Sequence, residues 1–175
     1  MDIEDFSIEA QQKRIDENNK IEKLKMNYKK LLKSGDYNIN PTWLTDKNKI
    51  DFSILGDDAS VKHLFLSDYQ IWWTSLDNLF NHMAPTYRNS YHKNKLWLGH
   101  DDRKITKALK FWEDGNKMIP PILIMNGNNS EILPHDGKHR IALCHYFDIE
   151  EIPVIISAVS FPNFPQTFKA VLKKN

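Results

Sequence analysis

The chain has a single cysteine, Cys144, in 175 residues. It can therefore form neither an internal disulfide framework nor a zinc site built from cysteines. Charge of one sign is also lacking: 24 Lys and Arg stand against 23 Asp and Glu, for a formal net charge of +1. That balance excludes nucleic-acid binding driven by overall charge, but not a local basic patch, because a sum is not a map. No apolar run approaches the ~20 residues that a membrane span needs. The start, Met1-Asp2-Ile3-Glu4-Asp5, is acidic and lacks the basic-then-apolar order of a secretory signal. Internal repeats and low-complexity tracts are missing too. These absences set the expectation of a cytoplasmic protein with no membrane partner.

What is present suffices for one ordinary core. Hydrophobic residues make up 41% of the chain and mean hydropathy is -0.57, as in one soluble domain with an appendage. Residues 5–33 read as a long charged helix in which Ile21, Leu24, Tyr28 and Leu31 line up one apolar stripe. Acidic residues lead it and basic ones close it, which suits the helix macrodipole, and Ser34-Gly35-Asp36 stops it. Its first half has no consistent apolar face. Two roles fit: packing on its own domain through the second half, or an arm for a homodimer or another protein partner through residues 5–33.

Residues 37–59 read as loop. Strand patterns follow at His63-Leu64-Phe65-Leu66 and Ile71-Trp72-Trp73, then a short helix capped by Ser75 and ended by Pro85. Residues 86–100 read as a loop whose aromatic residues, set among cations, either stack on bases or pin the loop to the core. Asp101 or Asp102 caps a helix over 103–114 that buries Ile105, Ala108, Leu109 and Trp112, with Gly115 at its end. Pro120-Pro121 leads into a strand, Ile122–Met125, and Asn126-Gly127-Asn128-Asn129 makes a hairpin turn back to Glu131–Leu133. A helix near 139–147, a strand Ile152–Ile156 and a terminal helix 166–173 complete the pattern.

The chemistry concentrates between the last two strands, in Asp136-Gly137-Lys138-His139-Arg140. Here an apolar strand breaks at an Asp-Gly turn and passes directly into a helix. Such a junction gathers free backbone N–H groups, the positive end of the helix dipole, two fixed cations and an imidazole, which is what a phosphate requires. Gly137 lets a ligand approach the backbone, Arg140 offers a planar fork, and Lys138 offers a mobile point charge. Asp136 can fix the turn, accept a proton or hold Mg2+, and His139 can donate to a phosphate or move a proton. Bland counterparts exist. Asp136 as a mere helix cap would contribute about 1 kcal/mol, and His139 and Lys138 would then be structural and solvated. His135, Asp136 and His139 do not make a helical metal pair, because the Gly137 turn falls between the histidines.

Residues 104–156 resemble the ParB/sulfiredoxin superfamily. The resemblance lies in an amphipathic helix, Gly115, Ile119-Pro120-Pro121-Ile122-Leu123-Ile124, a hairpin, Asp136-Gly137-Lys138-His139-Arg140-Ile141-Ala142-Leu143 and Ile152-Pro153-Val154-Ile155-Ile156. Residues 1–60 show no such likeness. The resemblance implies an α+β fold: a small mixed sheet with flanking helices in a domain over 36–175, preceded by a helical arm over 1–35. It also implies nucleotide phosphates at the junction, since the superfamily includes CTP-binding partition proteins, sulfiredoxin, free-serine kinases and proteins assigned as nucleases. Lys138 stands where sulfiredoxin carries its catalytic cysteine, so reductase chemistry is not expected. Only residues 157–175 follow the last strand, too few for a partition protein's helix-turn-helix domain. The Asp-Gly-x-His-Arg form resembles the free-serine-kinase-like and small uncharacterised members.

Three functions follow as expectations. The first is a nucleotide-dependent phosphotransferase, kinase-like, or a nucleotide hydrolase, using ATP or another nucleotide with Mg2+ and an unidentified acceptor. In it Gly137, Lys138 and Arg140 bind phosphates, Asp136, His139 and Arg140 act at the reacting group, and Asp136 is the candidate Mg2+ ligand. Glu113, Asp114 and Asp101 are candidates for a second carboxylate. The second is a DNA-associated binding protein or nuclease, with a groove between the basic end of the first helix and residues 86–100. The third is a nucleotide-switched regulatory module without turnover.

Overall fold

A computed structural model describes residues 7–52, 68–125, 131–159 and 161–172. The strand expected at 63–66 and the hairpin turn expected at 126–129 lie outside the described residues.

Helix α1 (Ile8–Ser34) starts at Ser7, whose hydroxyl accepts the Ala10 N–H, and stops at Gly35 with φ 77. Only its second half packs. Tyr28 and Leu32 are buried, whereas residues 11–20 are exposed throughout. The docking is polar as well as apolar. Tyr28 Oη donates to Glu113 at 2.7 Å, Lys29 pairs with Asp102 at 2.9 Å, and the Lys29 ammonium lies 5.0 Å from the Trp97 ring centre.

Four strands form a mixed sheet: β1 (Tyr69–Ser75), β2 (Ile122–Met125), β3 (Ile132–Asp136) and β4 (Glu151–Ser157), in the order β1-β4-β2-β3. β1 runs antiparallel to β4, β4 parallel to β2 at Ile155–Ile122, and β2 antiparallel to β3, with Ile122 opposite Asp136. Residues Ile152 to Ser157 of β4 are all buried. This is why β4 reads as an unbroken apolar run: a strand covered on both faces has no solvent side to mark by alternation. Pro153 is tolerated here because it faces Trp73 of β1, while the contact with β2 is made at Ile155.

The remaining helices are α2 (Leu76–His82), α3 (Pro85–Arg88), α4 (Asp102–Glu113), α5 (Lys138–Tyr146) and α6 (Phe164–Thr167). Ser75 caps α2 by accepting the Asn78 N–H at 3.1 Å. The main core joins Tyr28 of α1, Leu79 of α2, Ile105, Leu109 and Trp112 of α4, Ile141 and Leu143 of α5, and Ile152, Val154 and Ile156 of β4. Cys144 is fully buried in it. A smaller cluster of Ile50, Phe52, Ile71, Ile122 and Ile155 covers the other face.

Three boundaries differ from expectation. The terminal helix is α6 rather than 166–173, because the chain turns at Lys169 (φ 46) and Val171 then bridges to Trp73. Phe164, expected to precede the helix, opens it and stacks on Phe168 at 4.5 Å. Pro85 begins α3 instead of ending α2, the position where a missing N–H costs nothing. Residues 86–100 hold the rest of α3 and two single 3-10 turns, Asn89–Tyr91 and Lys93–Lys95. No helix among the described residues is long and apolar enough to cross a membrane.

Leu32 and Ile15 test the division of α1. Leu32→Ala is expected to cost roughly 2–5 kcal/mol in urea unfolding, as for a buried leucine, and Ile15→Ala to stay within about 0.5 kcal/mol.

Candidate functional site

The junction is built at the edge of the sheet, where β3 ends at Asp136. Gly137 carries the chain round with φ 85 and ψ 13 and serves as the N-cap of α5, with no side chain supplying a cap bond. A Cβ at this position would lie 2.8 Å from Pro121 Cα and 2.9 Å from Arg140 Nη2. Both the left-handed backbone and the contact with Pro121 therefore demand glycine. The N–H groups of Lys138, His139 and Arg140 form the first turn of α5, where an α-helix supplies them with no internal acceptor.

Arg140 and Asp136 are tied together. The Arg140 guanidinium donates through Nη1 to the Ile119 carbonyl and through Nη2 to the Asp136 carboxylate. This arginine clamps the lead-in to β2 against the end of β3, and its side chain is only 13% exposed. Asp136 was a candidate helix cap; the cap is Gly137, and the Asp136 carboxylate points to the guanidinium instead.

His139 is half-buried, and its Nε2 accepts the backbone N–H of Asp101 at 3.3 Å. The neutral ring therefore carries its proton on Nδ1. Burial pushes its pKa down to about 4; His100, Lys138 and Lys104 push the same way, and Asp101 opposes them. The Asp101 carboxyl itself is held below the usual carboxylate range, chiefly by the Lys104 N–H that it caps. His139 is thus a neutral imidazole at pH 7.

A cleft of about 500 Å³ opens beside the junction, with Asp136, Gly137, His139 and Arg140 in its lining. Its apolar lining comes from Leu44, Ala108, Phe111, Met118 and Ile119. The Leu44 wall is held by backbone bonds, Leu44 N–H to the Met118 carbonyl at 2.8 Å and Met118 N–H to the Thr42 carbonyl at 3.0 Å. Lys104, Lys107 and Lys117 line it as well. Lys104, Lys107, Ala108 and Phe111 share one face of α4 by their spacing, and about 10 Å separates Lys104 from Phe111 at 1.5 Å per residue. Among the described residues none of the three lysines has an ion-pair partner, while Asp136 and Arg140 neutralise each other. The cleft accordingly carries a local excess of positive charge in a nearly neutral protein.

The sequence pattern located one side of this cleft and missed the other. Gly137, Asp136, His139 and Arg140 all line it. Lys138 does not join them: it is exposed and is absent from the cleft lining, because the first turn of α5 directs it elsewhere. Its place is taken by Lys104, Lys107 and Lys117. The signal for Lys104 and Lys107 lay in α4, where the two lysines, three apart, precede Phe111 on the flank of the buried stripe. Of the candidate second carboxylates, Glu113 accepts from Tyr28 and Asp114 pairs with Lys110 at 2.5 Å, and neither lines the cleft. Asp101 alone adjoins the junction, as cap of α4 and neighbour of His139.

The donor set does not amount to a protein-held metal site. The cleft offers one carboxylate, already shared with a guanidinium, and the described residues contain no cluster of three His, Cys, Asp or Glu placed to hold an ion. The loop over 86–100 is pinned to the core: Tyr91 is buried and Trp97 lies under Lys29. Compared with known proteins, the chain matches no family model, no curated protein and no solved structure.

The neutral His139 has a consequence for stability. Its pKa is about 4 when folded against the ordinary 6.5, so between these values the unfolded chain binds the proton and the folded chain does not. Stability should then fall as pH drops from 6.5 towards 4 and be insensitive to this group above 6.5. Chemical denaturation at stepped pH is expected to show a shallower decline over that window for His139→Gln than for the unaltered protein.

Proposed function

We propose that the cleft binds the phosphates of a nucleotide, with its anionic end at the Gly137 turn and its base over the apolar lining near Phe111. The observation that supports this most is the meeting of the first turn of α5, capped by no side chain, with three lysines that have no ion-pair partner among the described residues, over an apolar floor. Free N–H groups and dispersed cations suit phosphate oxygens, and the apolar floor suits a planar base. The roughly 10 Å between Lys104 and Phe111 suits an extended nucleotide. On this reading Gly137, Lys104, Lys107 and Lys117 hold the ligand, and Arg140 braces the turn. The ParB/sulfiredoxin-like resemblance of residues 104–156 leads to the same site and to the finer fold assignment, which is part of this proposal.

The reaction we favour is phosphoryl transfer from ATP or another nucleotide, or nucleotide hydrolysis, with stabilisation of the transferring group by fixed positive charge. His139, neutral, with its proton on Nδ1 and its ring lining the cleft, is the group suited to contacting a phosphoryl oxygen. A Mg2+ ion would be held chiefly by phosphate oxygens and water, as this ion prefers. A second reading, a nucleotide-switched module without turnover, draws support from the bonds tying α1 to α4, the helix that lines the cleft: Lys29 to Asp102 and Tyr28 to Glu113.

Incubation with ATP, ADP, CTP or GTP plus Mg2+, read by thermal shift and phosphate release, separates these readings. Lys104→Ala and Lys107→Ala are each expected to weaken binding about tenfold, near the 1.4 kcal/mol of one charge-assisted contact. Lys138→Ala is expected to change it less than about threefold, as for a solvent-screened charge. Binding without phosphate release would favour the switch. The absence of any shift with all four nucleotides would overturn the phosphate site.

A further inference from the structure

We propose that His100 positions His139, and that the two imidazoles together take up one proton when a phosphate-bearing ligand fills the cleft. The inference rests on the phosphate-site reading above. The rings meet nearly edge to face with centres 5.6 Å apart. His100 Nε2 lies 3.1 Å from the Ser90 carbonyl, and a carbonyl only accepts, so the proton of His100 sits on Nε2 and its Nδ1 is a bare acceptor. That Nδ1 is buried and has no hydrogen-bond partner among the described residues, an uncommon state for a polar atom. His139 Nε2 is also an acceptor, served by the Asp101 N–H. A buried ring lone pair that meets no donor thus lies beside a second neutral ring whose Nε2 lone pair is already served.

Burial is the main reason why the proton is withheld from the free protein, and the surrounding charges add to it. From α5, Lys138 bears on both rings; from α4, Lys104 bears on His139, opposed by Asp101. Asp102, the next carboxylate of α4, is occupied by Lys29 at 2.9 Å and Lys25 at 3.9 Å. The turn Asn89–Tyr91 contributes only the Ser90 carbonyl and the Tyr91 ring, 5.4 Å from His100. Cations therefore prevail around the pair. A phosphate seated against Lys104 offsets that cation and sets negative charge beside His139, which favours the charged form of the pair; one proton from solvent then adds to a ring nitrogen, and it leaves when the ligand does. A second proton is excluded, because two imidazolium rings at this separation repel. Packing of Gly99, where a Cβ would lie 3.1 Å from the Ser90 carbonyl, keeps His100 in place.

The test is calorimetric titration of the full chain with ATP in two buffers of different ionisation heat, at about pH 5.5 and about pH 8, on either side of the ordinary histidine range. The comparison protein is His100→Phe, which keeps a ring in place but no ring nitrogen; protons belonging to the nucleotide cancel between the two proteins. The unaltered protein is expected to take up more protons at the lower pH than His100→Phe, by at least half a proton, and to show no difference at the higher pH. Its affinity should rise towards acid by up to tenfold per pH unit relative to the variant. A merely structural His100 would change affinity equally at both pH values, and that result would overturn the proposal. Imidazole nitrogen NMR of the unaltered protein provides a second measure: Nε2–H on His100 and Nδ1–H on His139 without ATP, with imidazolium character gained on adding ATP near pH 5.5. Unchanged ring nitrogens in the bound protein would overturn this inference alone, whereas the absence of any binding would overturn the phosphate-site reading and this inference with it.

Discussion

The turn at Gly137 is the constraint on which the rest depends. It must reverse from the edge of a four-stranded sheet into a helix within one residue, against the backbone of Pro121, and only a residue without a Cβ can do so. Arg140, one turn further on, holds the arrangement by bonding back to Asp136 and across to the Ile119 carbonyl. Sheet edge, lead-in to β2 and first turn of α5 thus form one unit. A cap residue with an oxygen-bearing side chain would satisfy the N–H groups of that turn. Glycine leaves them available.

Around that unit the chain distributes charge unevenly although its sum is close to zero. Acidic groups of α4 are used in docking α1: Asp102 meets Lys29 and Glu113 meets Tyr28. The lysines on the cleft side of the same helix, Lys104 and Lys107, have no ion-pair partner among the described residues. One helix therefore separates a neutralised, packed flank from a cationic, open one. This explains how a protein with formal net charge +1 presents a site suited to anions. It also explains why overall charge argued only against broad nucleic-acid binding and not against a local phosphate site.

Much of the architecture was legible because the relevant signals are local. The Ser75 and Asp101 caps, the glycine ends of α1 and α4, and the apolar stripes of α1 and α4 all depend on neighbours within about one helical turn. The Asp136–Arg140 segment was legible as a strand-to-helix turn for the same reason. What eluded the sequence depends on long-range contact. α6 ends early because Val171 is drawn into a bridge with Trp73, nearly a hundred residues away in the chain. Lys117 reaches the cleft because the 116–118 segment is bonded to 42–44. Lys138, chemically the obvious phosphate ligand, is carried to solvent by the geometry of the first helical turn. The pairing of His100 with His139 brings together two residues that no motif connects.

The central claim is that a nucleotide's phosphates rest on the first turn of α5. Backbone amide NMR of the nitrogen-15-labelled protein during titration with ATP reads this turn directly. The account predicts the largest downfield shifts at the N–H groups of Lys138, His139 and Arg140, with smaller changes along the Lys104–Phe111 face of α4 and none in the exposed half of α1. Saturable shifts that spare α5 and gather elsewhere would contradict it.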